Sequence, residues 1–107
     1  MELKFESEKT GEGCITLRVI GDVTIHTSPR LREKLKPLLV PDVQEVRVVL
    51  DEVEFMDSSG IATLVEGLQW SRASGGRFVL SGLHENVRDV FSLAKLDTVF
   101  DIEESAG

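Results

Sequence analysis

One stretch constrains this chain more than any other: Val46-Arg47-Val48-Val49-Leu50, then Phe55-Met56-Asp57-Ser58-Ser59-Gly60, then Ile61, Leu64, Val65 and Leu68. The first run is short, apolar and β-branched, as a strand is. The last set recurs at i, i+3, i+4 and i+7, the stripe of an amphipathic helix. A strand must therefore hand over to a helix at residues 57–60. The near-continuous apolar run predicts a strand covered on both faces. The helix is expected over about residues 58–74, stopped by Gly75-Gly76. At its start, Asp57 or Ser58 is the expected N-cap. A helix N-terminus also favours an anion, so a phosphate on Ser58 would be accommodated by the backbone itself.

The same two periods organise the rest of the chain. Residues 3–6 alternate and read as a short edge strand, and Gly11-Glu12-Gly13 suits a hairpin turn. Cys14-Ile15-Thr16-Leu17-Arg18-Val19-Ile20 alternates clearly, with Ile15, Leu17 and Val19 on one face. Thr27 or Ser28 before Pro29 marks a helix start, and Leu31, Leu35, Leu38 and Leu39 give that helix its buried stripe. Pro41-Asp42 ends the segment. Arg77-Phe78-Val79-Leu80 is a further strand. Val87, Val90, Phe91 and Ala94 mark a third helix, and Val99-Phe100 begins a last strand or a tail. The order β-β-α-β-α-β-α-β is that of an α/β fold. It implies a mixed sheet of four to five strands, partly parallel, with right-handed crossovers and helices packed against it. At 107 residues and 41% hydrophobic, one domain over residues 1–107 with a small core is expected.

Charge and composition exclude several functions. A net charge of −7 disfavours a nucleic-acid partner, which calls for a basic patch, and an anionic membrane surface. The first residues lack the apolar core of a signal peptide, and no run reaches membrane-spanning length, so a cytoplasmic protein without membrane insertion is expected. Cys14 lies in an alternating strand and reads as a buried thiol. His26 and His84 are scattered, so neither a metal nor another cofactor is expected. Ser58 lacks the upstream glycine of Gly-x-Ser-x-Gly and an evident histidine partner. Asp51 or Asp57 as a phosphoacceptor would need a cluster of acids to hold Mg²⁺, and only Asp22 follows the early strands. There is no Walker-type loop. A binding module rather than an enzyme is expected.

In such sheets, ligands gather at the carboxyl ends of the strands. Two loops qualify, residues 21–27 and 51–59, and adjacent parallel strands would bring Thr24 and His26 near Asp57 and Ser58. Trp70 lies opposite the apolar stripe of its helix, on a face with Ser59, Thr63, Glu66, Gly67 and Ser74. Two readings of it stand side by side: an exposed hot spot for a partner, or packing beneath the C-terminal segment or another helix. Glu52 and Glu54 read as solvated loop charges. Arg30, Arg32, Lys34 and Lys36 read as the wet face of the first helix, and Arg72 as a side chain snorkelling at a helix end.

These residues carry a resemblance. Gly21-Asp22-Val23-Thr24, Val48-Val49-Leu50-Asp51, Phe55-Met56-Asp57-Ser58-Ser59-Gly60, Gly75-Gly76 and residues 87–96 together resemble a STAS domain, the fold of bacterial anti-sigma factor antagonists. The resemblance implies that Ser58 is phosphorylated by a partner that is both anti-sigma factor and serine kinase. It implies that the unphosphorylated protein sequesters that partner, that phosphorylation releases it and so regulates transcription, and that a phosphatase resets the cycle. Asp57, Ser59, Gly60, Thr24, His26, Thr63 and Trp70 would share the partner surface, with Gly60 letting the partner approach the backbone. One departure stands out: Thr24 occupies a position where the family often has aspartate. The resemblance also allows a different role, an accessory subunit docking on the ATPase of an ABC-type lipid transporter through residues 64–70.

Overall fold

Strand and helix alternate in the computed structural model, which describes residues 3–104. The strands are β1 (Lys4–Gly11), β2 (Cys14–Ile20), β3 (Glu45–Glu52), β4 (Arg77–Ser81) and β5 (Asp101–Glu103). The helices are α1 (Ser28–Leu35), α2 (Ser58–Ser74) and α3 (Glu85–Leu93), so the element order is the expected one. The strands lie side by side in chain order; β1 and β2 are antiparallel and the remaining neighbours parallel. The antiparallel pair turns at Gly13, whose φ of 73° suits glycine.

Period-two alternation decides which side of the sheet is covered. Leu17 and Val19, Val46, Val48 and Leu50, and Phe78 and Leu80 point to one face. There they form one cluster with Leu31 and Leu35 of α1, Ile61, Leu64 and Leu68 of α2, and Val87 and Phe91 of α3. Among the described residues no helix covers the other face. That face carries Arg18, Arg47 and Arg77, each in contact with carboxylates on other strands: Arg18 with Asp51, Arg47 with Glu103 across β4, Arg77 with Glu45 and Asp101. The expectation that β3 is covered on both faces is therefore corrected. Its burial alternates, and the apolar run looked continuous only because Val49 stands on the open side.

Other boundaries differ for local reasons. β1 extends to Gly11 instead of ending near residue 6; its later residues are polar and exposed, so no hydrophobic signal marked them. α1 ends at Leu35 and tightens into a 3₁₀ turn at Lys36–Leu38, because Pro37 has no N–H to continue the helix. Leu39 is buried beyond that turn, completing the expected stripe. The last strand begins at Asp101 rather than Val99. A turn in which the N–H groups of Val99 and Phe100 both donate to the Leu96 carbonyl precedes it. Phe100 then packs edge-on against Phe91, with ring centroids 5.4 Å apart.

Candidate functional site at the start of α2

The loops after β2 and β3 stay in register beyond the sheet proper. An isolated parallel bridge joins Val23 to Met56. The Val23 N–H donates to the Phe55 carbonyl at 3.0 Å, and the Asp57 N–H donates to the Val23 carbonyl at 3.0 Å. The expected meeting of residues 21–27 with residues 51–59 is thus present in the structure. The first of these loops is also fastened to itself. Thr27 Oγ1 accepts from the Thr24 N–H at 2.9 Å and donates to the Asp22 carbonyl at 2.8 Å. Thr24 Oγ1 accepts from the His26 N–H at 3.2 Å, which makes Thr24 a turn-former; His26 itself is exposed.

Asp57 is the hub of the corner. Its backbone is extended, and its Oδ1 accepts from the Ser59 N–H at 2.9 Å, the Gly60 N–H at 3.4 Å and the Ser59 hydroxyl. Its Oδ2 reaches the other loop and accepts from the Ile25 N–H at 3.0 Å. The Ser59 hydroxyl, followed by the backbone N–H groups of Ser59, Ile25 and Gly60, holds this carboxyl below the usual aspartate range against the opposing effect of burial. Asp57 is therefore the N-cap. It also revises the expectation of a ready anion cradle: the N–H groups of Ser59 and Gly60 are already engaged by the protein's own carboxylate.

The two serines differ. Ser58 is exposed, and among the described residues its hydroxyl has no hydrogen-bond partner, whereas Ser59 is half-buried and bonded to Asp57. Gly60 is buried, and a Cβ there would stand 2.5 Å from Met56 Cγ and 2.7 Å from Val23 Cγ1. Its lack of a side chain serves internal packing.

The face of α2 that carries Thr63, Gly67 and Trp70 is not an exposed one. Thr63 is buried, with its hydroxyl donating to the Ser59 carbonyl at 3.0 Å. A Cβ on Gly67 would meet Phe78 Cζ at 3.1 Å and Leu35 Cδ1 at 3.4 Å. Trp70 is half-buried, with the Arg32 guanidinium 5.2 Å and the Lys36 ammonium 5.9 Å from its ring centre. Arg32 in turn makes a two-pronged contact with Glu66, at 2.8 and 3.2 Å. Around Gly67 and Trp70 this face is the contact with α1, so Trp70 lies away from the Ser58 corner, Thr63 is buried behind Ser59, and the helix segment expected to dock on an ATPase is largely turned inward. Arg32 and Lys36, expected to be merely wet, cover the tryptophan.

Two apolar residues at the corner were not among the expected site residues: Ile25, 68% exposed, and Phe55, 52% exposed. The available signal was their company, since both are large apolar side chains set among acids in the two loops already singled out. Among the described residues no group of three His, Cys, Asp or Glu side chains could hold a metal ion. No described helix is long and apolar enough to cross a membrane.

The family model of the STAS domain matches this chain over residues 7–107. This chain belongs to the STAS domain family. Within it, the anti-sigma-B factor antagonist of Bacillus subtilis (strain 168) is 31% identical over 94 residues, covering 88% of this chain and 85% of that protein. An anti-sigma factor antagonist from Mycobacterium paratuberculosis shares the STAS fold with a TM-score of 0.83 at 21% identity, covering 94% of this chain and 85% of that one. The Bacillus cell fate determinant SpoIIAA in its phosphorylated form has a TM-score of 0.76 at 21% identity, covering 96% of this chain and 92% of that one. Its unphosphorylated form gives 0.74 at 20% identity, with 96% and 90% covered.

Proposed function

We propose that this STAS protein is an anti-sigma factor antagonist whose partner binding is switched by phosphorylation of Ser58. The unphosphorylated protein sequesters an anti-sigma factor that is also a serine kinase; the phosphorylated protein releases it, and a phosphatase restores the binding form. The observation that carries this reading is the contrast between the two serines. The Ser58 hydroxyl is exposed and unpartnered among the described residues, while Ser59 is held by Asp57. A kinase can reach the first without breaking a contact of the fold. The 31% identical relative named as an anti-sigma-B factor antagonist supports the role.

The physics of the switch follows from the corner. A phosphoserine adds about −1.5 to −2 charges and acts in an interface through repulsion and desolvation. At Ser58 it would stand beside the Asp57 carboxylate, which already holds the nearest helix-start N–H groups. The added charge is therefore left for the partner to meet. Nothing buried has to move, so the change is confined to the surface. SpoIIAA, whose two forms match this chain at TM-scores of 0.74 and 0.76, sets a precedent for a fold common to both states. A differential of about 3 kcal/mol between the two forms would change affinity more than a hundredfold.

Affinity capture from the native cell, with peptide mass analysis of the bait, tests the reading. The expected result is a co-purified serine kinase and one phosphate on Ser58. Recovery of an ABC-type ATPase with unmodified Ser58 would replace it with the transporter role.

A further inference from the structure

Ile25 and Phe55 expose large apolar side chains in the two loops that meet at Asp57. Phe55 lies two residues before it in the chain, and the Ile25 N–H donates to its Oδ2 at 3.0 Å. Neither is on a loose loop, because the Val23–Met56 bridge and its hydrogen bonds fix the backbone beside both. The surroundings are acidic. Residues 21–27 and 51–59 contain Asp22, Asp51, Glu52, Glu54 and Asp57 and no lysine or arginine. Arg18 contacts Asp51 and Glu52. Among the described residues Asp22, Glu54 and Asp57 make no salt bridge. The surface thus sets two apolar side chains beside carboxylates, of which Asp22 and Glu54 have no ion pair among the described residues.

The geometry points to Ile25 and Phe55 as the apolar anchors that hold the partner kinase, which meets them with an apolar recess rimmed by basic side chains. This deepens the Ser58 reading and rests on it for the partner's identity. Anchors of this kind dominate an interface from its water-excluded centre, while charges at the rim contribute little. Ser58 follows Asp57, whose Oδ2 the Ile25 N–H meets at 3.0 Å, so a phosphate there enters the surface that carries the anchors. A charge at the rim would be screened and weakly felt; the same charge beside Ile25 and Phe55 must be desolvated or the interface opened. The anchors therefore supply the reason that one phosphate suffices. The basic rim supplies orientation and speeds encounter with this acidic corner.

Titration calorimetry against the purified cognate anti-sigma kinase tests this, using the wild type, Ile25→Ser, Phe55→Ser, Ser58→Asp and, as control, Leu93→Ser, an exposed apolar residue at the end of α3. Each anchor variant should bind at least tenfold more weakly, about 1.4 kcal/mol, at an unchanged thermal midpoint, and Leu93→Ser should bind as the wild type does. Wild-type affinity in both anchor variants overturns the anchors while leaving the switch intact if Ser58→Asp still weakens binding. Loss at Ile25 and Phe55 with full binding by Ser58→Asp keeps the anchors and sinks the charge switch. No binding by the wild type overturns both.

Discussion

At its carboxyl end α2 lies against α1, with Trp70 beneath Arg32 and Lys36 and a glycine where the two helices approach. At its amino end the same helix leaves Ser58 free, and Ile25 and Phe55 are exposed beside it. The molecule hides an indole where hiding it steadies the fold and displays apolar groups where display can recruit a partner. Exposure was the misleading criterion: an aromatic residue on a polar-looking face turned out to be packing, and the binding candidates lie in short loops.

Substitutions can break that contrast or sharpen it. The largest effect is expected from Gly60→Val, where new methyl groups collide with Met56 and Val23. A loss of about 3 kcal/mol, seen as a fall in thermal midpoint of roughly 12–24 °C, would show that the display surface stands on a close-packed base. Next is Trp70→Ala. A half-buried indole with two cations over its ring should cost about 2 kcal/mol with partner affinity unchanged; a stable variant that binds poorly would return Trp70 to the interface. Asp57→Ala removes the cap and should cost about 1 kcal/mol at neutral pH.

That third effect carries a pH signature. The folded carboxyl titrates below its unfolded value, so its contribution is complete above about pH 4 and is lost as pH falls through the lowered folded value. The stability gap between wild type and Asp57→Ala should therefore be full at pH 7 and shrink in strong acid. Urea melts at several pH values check this: a gap that persists unchanged into strong acid is the outcome the hydrogen-bond account does not allow. The smallest effect belongs to Ser58→Ala, within about 0.5 kcal/mol, because no bond is lost. Ser59→Ala, which loses the bond to Asp57, should cost about 1 kcal/mol. Equal costs for the two serines would erase the distinction on which the modification site rests.

Legibility followed locality. Both ends of α2 could be read from the chain because each is set by one residue, the Asp57 cap and Gly75 in the left-handed conformation at φ 81°. The meeting of the Thr24 and Asp57 loops was legible from topology, since one helix between two strands implies a parallel pair. What was not legible depended on neighbours distant in sequence. The angular position of Trp70 correctly placed it away from the sheet stripe, but no local pattern says that α1 lies there; the only local hint was Gly67, a small residue in mid-helix. Val49 misled for a related reason, as one apolar residue on the open side concealed the alternation of Arg47 and Asp51. The packing role of Gly60 was not legible either, because its tight neighbours include Val23, from the other loop.

The strands of this sheet lie in the order in which they occur along the chain. Each strand after the first finds its neighbour already made, and no later segment has to be inserted between two earlier ones. A nascent chain can therefore add one layer at a time as it leaves the ribosome, beginning with the local hairpin and keeping the distance to each new contact short. The corner around Asp57 needs only β2, β3 and the first turn of α2, so the surface a partner would recognise can form before the last strand is synthesised.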